Sequence, residues 1–297
     1  MADPIAAHPA FSEHSLKAYQ IAEVEQSITP DQCMLYSLSV GLGSDPMDAG
    51  QLRYVYENDL CANPLMANVL AYPGFWMKAA ETGVDWKQVL HGEQFFELHR
   101  PIPTSGSLIG RTQVIGVNDR GKEKGAFVYS RREVSDKLTG DPVCTIDQTV
   151  VCRGNGGCGG DDAAPRSPHQ LPEREADTVC DLAVSAQAAL FYRMNGDRNP
   201  LHADPAVAAD AGYPQPILHG LCTLGIAGHA ILRNVCDYDA TRLKSMAVRF
   251  TAPVFPGETL RTEIWHEDNG ASFRASVIER DKVVLGNGRV TLTSGPS

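Results

Sequence analysis

Between two short helical patterns the chain carries Gly196-Asp197-Arg198-Asn199-Pro200-Leu201-His202. A carboxylate, a carboxamide and an imidazole lie close together, and Pro200 stiffens the backbone that joins them. Chemistry that adds or removes water needs such a set. The Asp197 carboxylate can hold a water as acceptor, and a neutral His202 imidazole can take or give a proton near pH 7. Asn199 can donate to, and accept from, a water or a substrate. The spacing also fits an Asx turn at Asp197 with Asn199-Pro200 as loop punctuation, and spacing alone leaves both readings open. A calcium loop fits worse, because its twelfth position would be Ala208 rather than Glu.

A second candidate is Leu218-His219-Gly220-Leu221-Cys222-Thr223. If a buried helix begins here, Gly220 lies in its first turn, where a free N–H at the positive end of the dipole could face a polarised carbonyl. Without a Cβ, Gly220 admits close approach and could serve as an oxyanion donor to a thioester. The alternative is a glycine that merely allows tight helix–sheet packing. His219 reads as a satisfied structural histidine, and Cys222 as core rather than nucleophile. In the first half, His91 and Glu93 precede an expected strand and read as structural.

These residues need elements to hold them. Ser185 is placed to cap a short helix over 187–195, with Gly196 just past its end. Asp204-Pro205 opens another helix, to about Asp210, with Gly212 beyond it. Pro214 and Pro216 keep the next stretch extended. Residues 217–235 are apolar on nearly every side, the pattern of a helix buried all round. Alternation at Met246, Val248 and Phe250, at Leu260, Thr262 and Ile264, and at Phe273, Ala275 and Val277 predicts strands, as does a last run to about Thr293. Asp268-Asn269-Gly270 predicts a hairpin turn. One long buried helix followed by four antiparallel strands is the hot-dog architecture, an α+β fold.

Pro101 and Leu108 recur as Pro253 and Leu260 at a constant offset of 152, each pair in a Pro-Gly turn that precedes alternating residues. This suggests duplication of one α+β unit. Residues 154–178, first glycine-rich and then rich in proline and charge, read as a linker. The expected division is therefore 1–153, a linker at 154–178, and 179–297. Gly154-x-Gly156-x-x-Gly159 imitates a dinucleotide fingerprint, but no helix can follow in DDAAPRSPHQLPE and no βαβ unit surrounds it. The first half has no counterpart of the Asp197–His202 loop.

The net charge is −10, and no long basic run or basic-aromatic stripe is present, which disfavours binding to nucleic acid or an anionic membrane surface. Eight cysteines form no C-x-x-C pair and lack zinc-ligand spacing. The start of the chain lacks a signal-peptide pattern, and Gly295-Pro296-Ser297 is not a peroxisomal tail. The expectation is a cytoplasmic protein with reduced thiols, no metal and no redox cofactor. A sheet with exposed edges leads us to expect a homodimer.

The stretch FYRMNGDRNPLHADPAVAADAGYPQPILHGLCTLGIAGHAI resembles the signature of the MaoC-like (R)-specific enoyl-CoA hydratases, or hydratase 2. VLHGEQFFELHRPIPTSG and RGNGGCGG resemble the N-terminal repeat of the two-repeat members, so the likeness spans roughly residues 30 to 295. The resemblance implies a double hot-dog in which the C-terminal repeat is catalytic and the N-terminal repeat shapes an acyl cavity. It implies Asp197 and His202 as the catalytic pair, Asn199 holding the loop or the water, and Gly220 donating to the thioester oxygen. It further implies an acyl-CoA thioester as substrate, with coenzyme A as part of that substrate and no separate cofactor. The family's usual Ser or Thr before Gly-Asp is Asn195 here. A hot-dog thioesterase or a non-catalytic acyl-CoA-binding protein is the alternative.

Overall fold

A computed structural model describes residues 11–293; the stretch before Phe11 and the Gly295-Pro296-Ser297 end lie outside the described residues. In the first half, α1 (Glu13–Ala18) and β1 (Val24–Ile28) precede α2 (Pro30–Ser39) and α3 (Ala49–Leu52). A series of 3-10 turns follows, the longest at Pro64–Val69. Then come β2 (Val89–Leu98), β3 (Gly106–Asp119), β4 (Ala126–Asp136) and β5 (Pro142–Cys152). The second half runs β6 (Thr178–Ala183), α4 (Ala188–Tyr192), α5 (Pro205–Asp210), α6 (Gly220–Asn234), β7 (Leu243–Phe250), β8 (Thr259–Glu267), β9 (Gly270–Val277) and β10 (Lys282–Leu292).

All ten strands form one antiparallel sheet in the order β1-β3-β4-β5-β2-β7-β10-β9-β8-β6. Each half repeats the same internal order, its second strand inward and its first strand at the edge. The halves join where β2 pairs with β7, Glu93 opposite Arg249 through Glu97 opposite Ser245. An ion pair spans this seam, with the Arg249 Nη2 donating to Glu93 Oε1 at 2.6 Å. This is the double hot-dog that the family resemblance implies. His91 and Glu93 fall within β2 rather than before it, on either side of a bulge against β5.

The long helix is α6, and its residues from Cys222 to Leu232 are all buried. It begins at Gly220, three residues later than the apolar run suggests. The preceding residues are committed elsewhere: Leu218 N–H donates to Val254 O at 2.8 Å, and Ile217 O accepts from a histidine ring. Across the helix lie Phe96, Val143 and Ile146 of the first half and Met246, Phe273 and Val290 of the second, in one continuous core. Among the described residues the first half has no helix of comparable length. Pro64 and later Pro73-Gly74 break its chain, and the Pro64–Val69 turn packs on α6 instead.

Two further expectations are corrected. Ser185 does not cap α4. Its hydroxyl accepts from Gln187 N–H at 3.2 Å in a preceding turn, and α4 starts at Ala188 and tightens to 3-10 over Arg193–Asn195. The β8–β9 hairpin forms around Asp268-Asn269, but Gly270 already belongs to β9. It must be glycine because a Cβ there would lie 2.0 Å from Val290 O. The 154–178 segment has few apolar contacts and is held by polar ones. Asp162 Oδ2 accepts from Val117 N–H at 2.8 Å, and Arg166 pairs with Asp147 while lying 3.3 Å above the Phe95 ring. Asn287 Nδ2 donates to His169 O at 2.7 Å. All eight cysteines are free thiols. Among the described residues no helix is long and apolar enough to cross a membrane.

Two glycines let α6 sit this deep. A Cβ at Gly225 would lie 2.4 Å from Val40 Cγ1, and one at Gly228 would lie 2.4 Å from Leu65 Cγ. In an exposed helix Gly→Ala would stabilise by about 1 kcal/mol. Here overpacking reverses the sign, and Gly228→Ala should destabilise by about 1–3 kcal/mol, read from the urea midpoint. A neutral or stabilised variant would contradict this packing.

Candidate active site

The loop between α4 and α5 is built from its own side chains. Gly196 takes φ +123, a backbone that L side chains rarely adopt, and this turns the chain out of the Arg193–Asn195 3-10 turn. Asn195 Nδ2 braces that turn by donating to Ser39 Oγ at 3.1 Å and Tyr192 O at 3.0 Å. Asp197 Oδ1 accepts from Asn199 N–H, and Asn199 Oδ1 accepts from Leu201 N–H, both at 3.1 Å. The Asx turn is therefore real, and it presents the carboxylate rather than excluding it from chemistry. Asp197 Oδ2 has no hydrogen-bond partner among the described residues. Asn199 braces the loop with its carboxamide oxygen. The Pro200–His202 3-10 turn ends on His202, and Asp204 caps α5 through Ala206 N–H at 2.9 Å.

His202 is 8% exposed. Its Nδ1 lies 2.9 Å from Ile217 O. A carbonyl can only accept, so Nδ1 carries the proton and Nε2 offers a lone pair. Burial pushes the His202 pKa below the usual 6.5, so the ring is neutral at pH 7.

His219 is the residue the sequence undervalued. It immediately precedes α6 and is only 2% exposed. Its ring stacks on His202 with centroids 3.7 Å apart and planes 27° apart. Its Nε2 donates to the Asp197 backbone carbonyl at 3.3 Å. Its Nδ1 is buried without a partner among the described residues, so it is not the satisfied core histidine expected. The available signal was its adjacency to Gly220, but nothing in the sequence says that two histidines 17 positions apart will stack.

Gly220 is the first residue of α6, where no intrahelical carbonyl reaches the N–H. A Cβ there would lie 3.3 Å from the Phe250 ring, tighter than ordinary contact. Phe250 in turn packs on His91 at 4.4 Å between centroids. His91 thus belongs to the wall behind Gly220, and its Nε2 lies 2.8 Å from Gln94 Oε1.

Asp197, His202 and His219 offer ligand atoms within 4.8 Å of one another. A metal bound to both imidazoles would have to lie in both ring planes. Two nearly parallel rings 3.7 Å apart share no such point close by, so the arrangement suits a water between a carboxylate and a basic nitrogen better than a cation.

Comparison with known proteins identifies the family. Residues 167–287 match the MaoC like domain, and residues 27–154 match the MFE-2 hydratase 2 N-terminal domain. The chain is 39% identical over 277 residues to 3-hydroxyacyl-thioester dehydratase Y of Mycobacterium tuberculosis, covering 90% of this chain and 93% of that protein. It is 35% identical to the peroxisomal enoyl-CoA hydratase 2 of Arabidopsis thaliana, covering 93% and 94%. The crystal structure of a MaoC-like dehydratase from Phytophthora capsici superposes with a TM-score of 0.83 at 32% identity, covering 95% and 99%. The chain belongs to the MaoC-like dehydratase family, in its two-repeat hydratase 2 form. Its enzyme class is that of a hydro-lyase.

Four histidines bear on stability. Burial lowers the pKa values of His91 and His229 to about 4 and moves those of His202 and His219 downward. Below pH 6.5 the unfolded chain binds more protons than the folded one, so stability falls with pH. The melting temperature should drop between pH 6.5 and pH 4, and the loss should be smaller in His229→Gln. A flat profile over that window would contradict neutral burial.

Proposed function

We propose that the protein catalyses the reversible hydration of trans-2-enoyl-CoA to (3R)-3-hydroxyacyl-CoA. The observation that carries this reading is the placement of a neutral His202 Nε2 and a free Asp197 oxygen beside the start of α6. The thioester carbonyl binds at the Gly220 N–H, which draws electron density from C3. A water held by Asp197 and His202 attacks C3. As its oxygen bonds to carbon, one of its protons passes to His202 Nε2. The resulting enolate charge sits on the thioester oxygen, where one such donor contributes about 3 kcal/mol. A proton from the pair then goes to C2, and the imidazole returns to its neutral state. Each step uses protein groups, substrate and water.

The first half supplies the acyl side in this reading. A cavity of about 240 Å³ lies between Leu35, Met66 and Val69 of the first half and Met194-Asn195-Gly196 of the second. It adjoins the loop that carries Asp197, and Leu35, Met66, Val69 and Met194 give it an apolar side on which a hydrocarbon chain could lie, alongside the polar Gln26, Gln32 and Asn195.

The enoyl-thioester absorbance should fall on addition of enzyme, and chiral analysis should return the 3R product. Thiol release from a saturated acyl-CoA without hydration would instead indicate a thioesterase. Asp197→Asn and His202→Gln should each lower kcat by about 10²–10⁴-fold with the melting temperature retained. Near-full activity in either folded variant would remove that residue from the mechanism. Because the pKa of His202 is lowered by burial, the acid limb of the kcat/KM profile should lie below pH 6.5; a limb above that value would contradict the neutral-base role. We also infer a homodimer, since among the described residues β1 and β6 each leave one edge of the sheet unpaired. A monomer mass by light scattering at micromolar concentration would overturn the dimer.

A further inference from the structure

His219 touches both members of the Asp197–His202 pair. Its Nε2–H reaches the Asp197 backbone carbonyl at 3.3 Å, and its ring covers the His202 ring at 3.7 Å. Its own backbone carbonyl accepts from Cys222 N–H and Thr223 N–H, both at 3.0 Å, and so starts α6. The residue therefore ties the loop, the imidazole and the helix that carries Gly220 to one point.

Packing alone does not explain a histidine here. The side chain is 2% exposed and leaves Nδ1 unpartnered among the described residues. Beside it stands Tyr192, 5.1 Å away between centroids, with Tyr36 a further 6.1 Å beyond. An apolar ring would fill the same space with no polar atom to desolvate. What an imidazole adds is a flat face toward His202 together with an N–H at the far edge toward Asp197. Phenylalanine supplies only the face, and glutamine only the donor.

We propose that His219 is a positioning residue that fixes the spacing and orientation of Asp197 and His202. It donates to the backbone of one and stacks on the ring of the other. The inference rests on the hydratase reading, because it concerns the same pair. A displacement of about 1 Å at such a pair can cost about 100-fold in rate. The effect should fall on kcat, since His219 itself contacts neither the acyl chain nor the thioester in this scheme.

The test compares wild type, His219→Phe and His219→Gln on a short trans-2-enoyl-CoA, with kcat, KM and melting temperature measured for each. His219→Phe should lose about 30-fold in kcat with KM within about twofold. His219→Gln, which can restore the N–H to Asp197, should recover to within about fivefold of wild type. A folded His219→Phe with wild-type kcat, or a loss carried by KM alone, overturns the proposal, as does a Gln variant no better than Phe. If His219→Phe fails to fold, His219→Asn replaces it, because its shorter amide falls short of the carbonyl; equal kcat for Gln and Asn then overturns the proposal. An inactive wild-type enzyme removes the hydratase reading itself, and this inference with it.

Discussion

Helix α6 has no solvent face between Cys222 and Leu232, and the rest of the molecule is arranged around covering it. The two halves of the sheet supply Phe96 and Phe273, α2 leads into Val40, and the Pro64–Val69 turn supplies Leu65. Val40 and Leu65 come so close that Gly225 and Gly228 cannot carry a side chain. Deep burial also fixes where the helix begins. Leu218 is tied to Val254, so the first free N–H groups of α6 emerge at one defined place, beside the Asp197–His202 loop.

The β2–β7 seam makes two similar halves into one scaffold. Their register sets Glu93 opposite Arg249, and the charged pair closes across the join. Immediately after this strand pair, Phe250 rests between His91 and Gly220. A residue of the first half therefore buttresses a site whose chemistry-bearing groups all come from the second. The segment linking the halves is held to the sheet by Asp162, Arg166 and His169, so a stretch rich in glycine and proline is fixed by polar contacts in place of a core.

Burial also sets the protonation of the site. The Ile217 carbonyl selects the His202 tautomer with its proton on Nδ1, and desolvation keeps the ring neutral. Asp197 is half-buried and keeps one oxygen for other partners. A base without charge next to a carboxylate can hold a water between them without forming a salt bridge that would tie up both groups. Desolvation pushes His219 toward neutrality as well, and its stacking on His202 adds to this, because charging both rings at once is unfavourable.

Sequence alone determined the parts governed by local chemistry. The alternation of β7 to β10, the apolar α6, the Asp204-Pro205 helix start and the turn at Gly196 are set by residues within a few positions of one another. The loop Asp197–His202 and the glycine at Gly220 were legible for the same reason. Helix starts at Gly220 and Ala188 were misjudged because the bonds of Ile217, Leu218 and Ser185 decide them. The role of Gly270 depends on a carbonyl of β10, twenty residues away. Only the tertiary structure put His219 over His202, His91 behind Phe250, and Leu35, Met66 and Val69 opposite Gly196. Each of those contacts joins segments whose approach is fixed by sheet register and by the burial of α6. No local pattern encodes such distances, because they follow from packing the whole chain around one helix.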